Sequence, residues 1–194
     1  MMYIESEYEA VSAICNAMKD KLIITSVGNI SRIIYDITGS SHNVFYMLGS
    51  MGLSISFGLG LALSNQDRHI ISFVGDGAAL MNLSSFILLG SYKVKYTVVI
   101  IDNGIYNTTG GQKSNSENII WEDLLKSLGI SSIYCCSSMD ELVRATKYAE
   151  KQTCCSVILV KTMPLDKKIN RVMISPKDNA NNFKNNLRGV KHEY

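Results

Sequence analysis

Hydrophobic positions along the chain alternate between two periods. Ile4, Tyr8, Val11, Ile14, Cys15 and Met18 recur at spacings of three and four, which predicts a helix over 3–19. A short apolar run at 22–25 follows and reads as a buried strand. Gly28-Asn29 breaks it, and 31–38 reads as a helix with Ile30, Ile33, Ile34 and Ile37 on its apolar side. The cycle then repeats. A strand at 45–48 leads through Gly49-Ser50-Met51-Gly52 into a helix ending at Leu63, and a strand at 69–74 leads into one helix over 78–92. Further strands are expected at 96–101, 133–136 and 156–161, with helices at 121–128, stopped by Gly129, and at 139–151. Residues 107–118 are polar and read as a mobile loop. Strands alternating with helices predict an α/β fold: a three-layer α/β/α arrangement with a mostly parallel six-stranded sheet and right-handed crossovers.

Two details refine this picture. Gly52, Ser56 and Gly60 repeat every four residues, a spacing of small side chains that lets a helix approach a neighbouring backbone closely. From Pro164 the chain turns polar and rich in asparagine, so 1–163 is expected to form the domain and 164–194 a C-terminal tail. The tail has a helical stretch at 177–188 and a loosely ordered end.

Composition narrows the function classes. Hydrophobic residues make up 46% and charged residues 19% of the 194, as in a chain that buries a core. A net charge of +2 carries no electrostatic footprint for nucleic acid. His42, His69 and His192 are too scattered for a metal site. The start of the chain mixes acidic and apolar positions, unlike a signal peptide, and the apolar stretch 47–63 is short and broken by four glycines, so no membrane association is expected. Five cysteines, with adjacent pairs at 135–136 and 154–155, fit no disulfide framework and read as reduced thiols in a cytoplasmic protein.

The chemistry-bearing residues sit at strand ends. Gly75-Asp76-Gly77-Ala78 reads as strand, tight turn and helix, a geometry that aims backbone N–H groups at a phosphate. The Asp76 carboxylate belongs beside a phosphate only with a cation between them. Asp102-Asn103-Gly104 ends the next strand. Asp76 and Asn103 supply one charged and one neutral oxygen suited to magnesium, with the carbonyl of Ile105 as a third donor. Gly77, Ala78 and Gly104 leave room for N–H groups to approach phosphate oxygens. Three glycine-bearing turns lie at the carboxyl ends of strands, where open parallel sheets bind ligands.

Gly75-Asp76-Gly77, 24 intervening residues (78–101) and Asp102-Asn103 together resemble the thiamine diphosphate-binding motif, which usually carries Asn-Asn at the second half. Gly49-Ser50-Met51-Gly52 resembles the segment of that family that grips the aminopyrimidine ring. The resemblance implies that the Gly49 carbonyl and the Met51 N–H bond that ring and that the Met51 side chain wedges the cofactor into a V. Candidate cofactor contacts are Gly28, Asn29, Gly49, Ser50, Met51, Gly75, Asp76, Gly77, Ala78, Asn103, Gly104, Ile105 and Tyr106; candidate metal ligands are Asp76, Asn103 and Ile105. The likeness runs over about 22–161 and covers the pyrophosphate-binding domain only.

Within the family, Phe45-Tyr46-Met47-Leu48-Gly49-Ser50-Met51-Gly52 and Gly110-Gly111-Gln112 look like decarboxylases of sulfopyruvate and phosphonopyruvate, although Lys113-Ser114 stands where those carry Pro-Thr. The resemblance implies a magnesium- and thiamine diphosphate-dependent decarboxylase subunit that takes a small 2-oxo acid and releases carbon dioxide and an aldehyde. In the family the activating glutamate lies on a pyrimidine-binding domain. That domain is expected on a partner (alpha) subunit, in a hetero-oligomer. Thr108, Thr109 and Gln112 are the candidate substrate contacts, with Lys167, Lys168, Arg171 and His42 behind them. The alternatives are a subunit of an acetolactate-type or transketolase-like carboligase, a subunit of a 2-oxo acid oxidoreductase, and a non-catalytic partner protein.

Overall fold

A computed structural model describes residues 3–189. Helix α1 (Glu7–Ala17) precedes strand β1 (Leu22–Thr25), α2 (Asn29–Thr38), β2 (Val44–Tyr46), α3 (Ser54–Ser64) and β3 (Ile70–Gly75). Then come α4 (Asp76–Met81), α5 (Ser84–Ser91), β4 (Tyr96–Asp102), a small hairpin of β5 (Ile105–Tyr106) and β6 (Gln112–Lys113), and α6 (Trp121–Ser127). Strand β7 (Ser132–Cys136), α7 (Met139–Glu150), β8 (Ser156–Lys161) and α8 (Pro176–Leu187) complete the chain. Six strands form one sheet in the order β2-β1-β3-β4-β8-β7, and every adjacent pair is parallel.

Strand pleating sends alternate residues to opposite faces, and both faces are dry. Ile71, Phe73, Val99 and Ile101 pack under α1, α2 and α7; Ile70, Val74, Val98 and Ile100 pack under α3, α5 and α6. The sheet order also locates a crevice. From β1 the chain leaves toward β2, whereas from β3 it leaves toward β4 on the other side. The connections diverge between the carboxyl ends of β1 and β3, the topological switch point where such sheets bind ligands.

Several elements differ from their sequence-based expectations, each for a physical reason. Helix α1 begins at Glu7 because the backbone of Ile4 pairs with Thr162 and Ser6 serves as N-cap, its hydroxyl accepting from Glu9 N–H at 3.1 Å. The single helix expected over 78–92 is two helices. Asn82 breaks it, donating its side-chain amide to the Gly52 carbonyl at 3.1 Å and accepting from Ser84 at 2.8 Å. The loop expected over 107–118 is the β5–β6 hairpin followed by a 3-10 turn (Ser116–Asn118).

Close approach of α3 to the sheet depends on Gly58, not on Gly60, while Gly52, just before α3, lets the chain pass close to the Ala78 carbonyl and Asn82. A Cβ on Gly58 would lie 2.6 Å from the Tyr96 hydroxyl, whereas one on Gly60 meets nothing within 4 Å. The segment after Pro164 is packed rather than loose as far as residue 189. Ile169 and Phe183 are buried, and Asn179 pairs with the free edge of β2 like a short strand: it accepts from Tyr46 N–H at 3.1 Å and donates to the Tyr46 carbonyl at 2.8 Å. The end expected to be loose beyond 189, with His192, lies outside the described residues.

Candidate functional site

The loops at the switch point line one cleft. Its walls are Ser26–Ile30 after β1, Met51 before α3, Gly75–Ala78 at the β3–α4 turn, Asn103 and Ile105–Thr108 after β4, and Glu7 from α1. Eleven of the candidate residues therefore converge from distant parts of the chain: Gly28, Asn29, Met51, Gly75, Asp76, Gly77, Ala78, Asn103, Ile105, Tyr106 and Thr108. Gly49 and Ser50 stand exposed beside Met51, and Ser50 holds a left-handed backbone at φ 60°. A non-glycine residue in that region costs energy and is found where a turn must be held open. Met51 is exposed rather than core. Gly104 does not line the cleft; its carbonyl accepts from Ser114 N–H at 2.9 Å.

The other candidates fall outside. Thr109 and Gln112 sit on the exposed hairpin and bond each other at 3.3 Å. Lys167 lies 3.7 Å over the Tyr8 ring. Lys168, Arg171 and His42 do not line the cleft.

At the cleft floor, Asp76 is 2% exposed and begins α4. The Ser114 hydroxyl donates to its carboxylate, so a hydroxyl at 114, which threonine would also supply, supports the Asp76 turn directly. Burial raises the Asp76 carboxyl above its ordinary range, the Ser114 bond opposes this, and the nearby Asp102 charge adds to it. Gly77 has no room for a side chain, because a Cβ there would lie 2.7 Å from Cζ of the Tyr106 ring. Asn103 accepts from Ile105 N–H at 3.1 Å through Oδ1. Asp102, the departure from the usual motif, faces away: Lys161 pairs with it from the adjacent strand, and Ser116 donates to it at 2.7 Å.

Sequence reasoning missed Glu7. Its carboxylate is 1% exposed and accepts from Asn103 Nδ2 at 3.0 Å and from Leu165 N–H at 3.3 Å. Burial raises its pKa, these two bonds lower it, and Asp76 raises it further. A signal existed: Glu7 lies three, four and seven positions before Ala10, Val11 and Ile14, so a charge occupies the buried stripe of α1. Among the described residues no lysine or arginine pairs with Glu7 or Asp76. Two buried carboxylates facing one cleft without a cation, beside the neutral oxygen of Asn103, form a donor set that fits a hard divalent ion.

Known proteins resemble this chain in sequence and in fold. Residues 26–160 match the family described as thiamine pyrophosphate enzyme, C-terminal TPP binding domain. The chain is 39% identical over 163 residues to the sulfopyruvate decarboxylase subunit beta of Methanocaldococcus jannaschii, covering 83% of this chain and 85% of that one. It is 31% identical over 125 residues to the phosphonopyruvate decarboxylase of Streptomyces viridochromogenes, covering 64% of this chain and 31% of the relative. Among solved structures, the benzoylformate decarboxylase of Polynucleobacter necessarius superposes with a TM-score of 0.66 at 16% identity, over 85% of this chain and 34% of that one.

Proposed function

The chain belongs to the thiamine pyrophosphate enzyme family, through its C-terminal TPP-binding domain, and from that premise we propose that it is the pyrophosphate-binding (beta) subunit of a two-chain 2-oxo acid decarboxylase. The observation that carries this reading is the convergence of Met51, the Gly75–Ala78 turn and Asn103 on one cleft at the switch point. The substrate is a sulfonated or phosphonated 2-oxo acid, in keeping with the named activities of the relatives, and the products are carbon dioxide and an aldehyde. Thiamine diphosphate, when bound, supplies the electron sink for decarboxylation.

This chain's own residues would do the binding. The N–H groups of Gly77 and Ala78 at the start of α4 face the diphosphate, with Gly28, Asn29 and Tyr106 around it. Asp76, Asn103 and the Ile105 carbonyl hold magnesium. Gly49, Ser50 and Met51 support the ring end of the cofactor. Thr108 is the best placed of the three candidate substrate contacts, ahead of Thr109 and Gln112. Residues 1–163 form the cofactor-binding unit, and residues from 164 an appended segment whose described part packs onto it.

Two features support a partner chain carrying the activating acid. Glu7 is engaged by Asn103 and Leu165 beside the Asp102-Asn103-Gly104 turn, so we do not assign it as that acid. Beside Met51, α3 and α5 lie together through Ser56 and Ser85 (2.7 Å), and their outward positions include Leu53, Phe57, Ile87 and Leu88. No Asp, Glu, Lys or Arg occurs in 44–66 or 77–92, so this apolar face is unbroken by charge, as the centre of an interface is. A pyrimidine-binding (alpha) subunit seated there would close the cleft. Free thiols at all five cysteines support a cytoplasmic site of action, and no described helix is long and apolar enough to cross a membrane.

The test is co-purification with the partner and product analysis on sulfopyruvate and phosphonopyruvate with thiamine diphosphate and magnesium. The expected product is the aldehyde, and it is expected only from the pair. Turnover by the isolated chain at an ordinary rate sinks the two-chain reading; a carboligation product or acyl-CoA sinks the decarboxylase reading.

A further inference from the structure

Glu7 lies outside the stretch matched to the family, on a helix that reaches the cleft from the far end of the sequence. Its position is costly. A carboxylate 1% exposed beside a second buried carboxylate, with no described cationic partner, is retained against both desolvation and like-charge repulsion. A clamp between α1 and the loop after β4 needs only an acceptor, which an uncharged amide would supply more cheaply. The charge therefore calls for a reason, and the cleft offers one.

That reason starts with Asn103. A primary amide has two faces of similar shape, one accepting and one donating. An ionised carboxylate only accepts, so the 3.0 Å contact with Glu7 fixes Nδ2 on the α1 side and turns Oδ1 the other way, where it takes the Ile105 N–H. The same Glu7 oxygen accepts from Leu165 N–H at 3.3 Å, and the Leu165 carbonyl accepts from Asn107 Nδ2 at 2.9 Å. Helix α1, the metal turn and the segment after β8 are thus tied together at one carboxylate.

We propose that Glu7 is a positioning residue of the cation site: it orients the Asn103 amide so that Oδ1 is available to the metal, and it adds to Asp76 the second negative charge that selects a divalent cation. The inference rests on the cofactor reading above and adds to it a residue from α1. Outer partners that orient a metal ligand typically cost about 10–100-fold in metal affinity when they are changed.

Glu7→Gln separates charge from packing. A glutamine can place its carbonyl oxygen where Glu7 accepts both bonds, keeping the clamp and removing the charge. The assay uses the chain assembled with its co-purified partner, with thiamine diphosphate binding followed by calorimetry as magnesium is titrated. Direct manganese binding by electron paramagnetic resonance is read in parallel, and the melting temperature is taken without metal. Glu7→Gln is expected to raise the magnesium concentration for half-maximal cofactor binding about 10–100-fold. The metal-free melting temperature should stay level or rise, because one of two neighbouring buried charges is gone. Glu7→Ala should lose at least as much metal affinity and also melt lower.

A purely structural Glu7 gives a different pattern: Glu7→Gln, which keeps both bonds, leaves the magnesium requirement within twofold of wild type at whatever melting temperature, and only Glu7→Ala melts lower; an unchanged magnesium requirement in Glu7→Gln overturns the proposal. Asp76→Ala runs alongside as the reference. If its magnesium requirement is also unchanged, the cofactor site itself is misassigned; if it alone collapses, only the role of Glu7 is.

Discussion

Helix α3 contains a matched pair of glycines that tests how tightly this helix seats on the sheet. At Gly58 an added methyl would lie 2.6 Å from the Tyr96 hydroxyl and 2.9 Å from Cε2 of the same ring, and closer still to the Ser72 hydroxyl. Those hydroxyls are not free to retreat. Ser72 donates to the Ser54 carbonyl at 2.9 Å and Tyr96 to the Ile55 carbonyl at 2.8 Å, and both residues are fully buried. Overpacking costs about 1–3 kcal/mol, and forcing one buried hydroxyl off its carbonyl costs about 1–3 kcal/mol more. Replacing glycine by alanine within a helix returns roughly 0.5–1 kcal/mol. Gly58→Ala should therefore lose about 1–5 kcal/mol. Gly60, two residues on and so on the opposite side of α3, faces open space, so Gly60→Ala keeps only the gain, about 0.5–1 kcal/mol. Urea denaturation of the isolated chain at one pH measures both. A Gly58→Ala variant within about 0.5 kcal/mol of wild type, the ordinary range of surface substitutions, would refute the packing argument, as would a Gly60→Ala variant that is equally destabilised.

Two further outcomes are expected. Asp76→Ala should lose magnesium-dependent thiamine diphosphate binding by more than the roughly 10–100-fold typical of outer-shell partners, while circular dichroism reports an intact fold; unchanged affinity in the assembled complex would refute the metal-ligand role. His69 is buried, with Nε2 2.8 Å from the Thr97 hydroxyl, and burial, aided by the Lys21 charge, lowers its pKa. The unfolded chain takes up this proton near pH 6.5 while the folded one does not, so the contribution of His69 is complete above about pH 6.5 and is lost as pH falls toward the lowered folded value. His69→Gln should flatten the stability difference between about pH 7.5 and 5.5, read from urea midpoints; an unchanged slope would show that His69 is not the group responsible.

Most of the sheet was legible because its strands are short apolar runs, those of β1 to β4 with a glycine at or just after their ends, a local signal. The cleft was legible where its residues carry a motif: Asp76 and Asn103 announce themselves through neighbours in sequence. What escaped was non-local. Asn82 divides α4 from α5 by reaching the Gly52 carbonyl 30 residues back, which no periodicity reveals. Asn179 completes the edge of β2 from 133 residues away, so a polar tail hid a structural element. Glu7 meets Asn103 across 96 residues; the helix was read from its apolar positions, and a charge on the same stripe went unweighed.

The site also explains why one carboxylate departs from the family pattern without disturbing it. Asp102 and Asn103 are consecutive at the end of β4, and consecutive residues of a strand face opposite ways. Asn103 turns to the cleft, so Asp102 must turn toward β8, where Lys161 is its register partner and neutralises it. Asp76 and Glu7, both facing the cleft, have no such lysine among the described residues. Three acidic side chains at one end of the sheet thus meet different fates by direction alone: one is paired within the protein, and two face the cleft with no lysine or arginine partner among the described residues. An acid at 102 is compatible with the site because a lysine accompanies it on the same face. An acid at 103 would lose the Nδ2–H that Glu7 accepts and set a third carboxylate against Glu7 and Asp76, so the order Asp-Asn can stand in for Asn-Asn where Asn-Asp cannot.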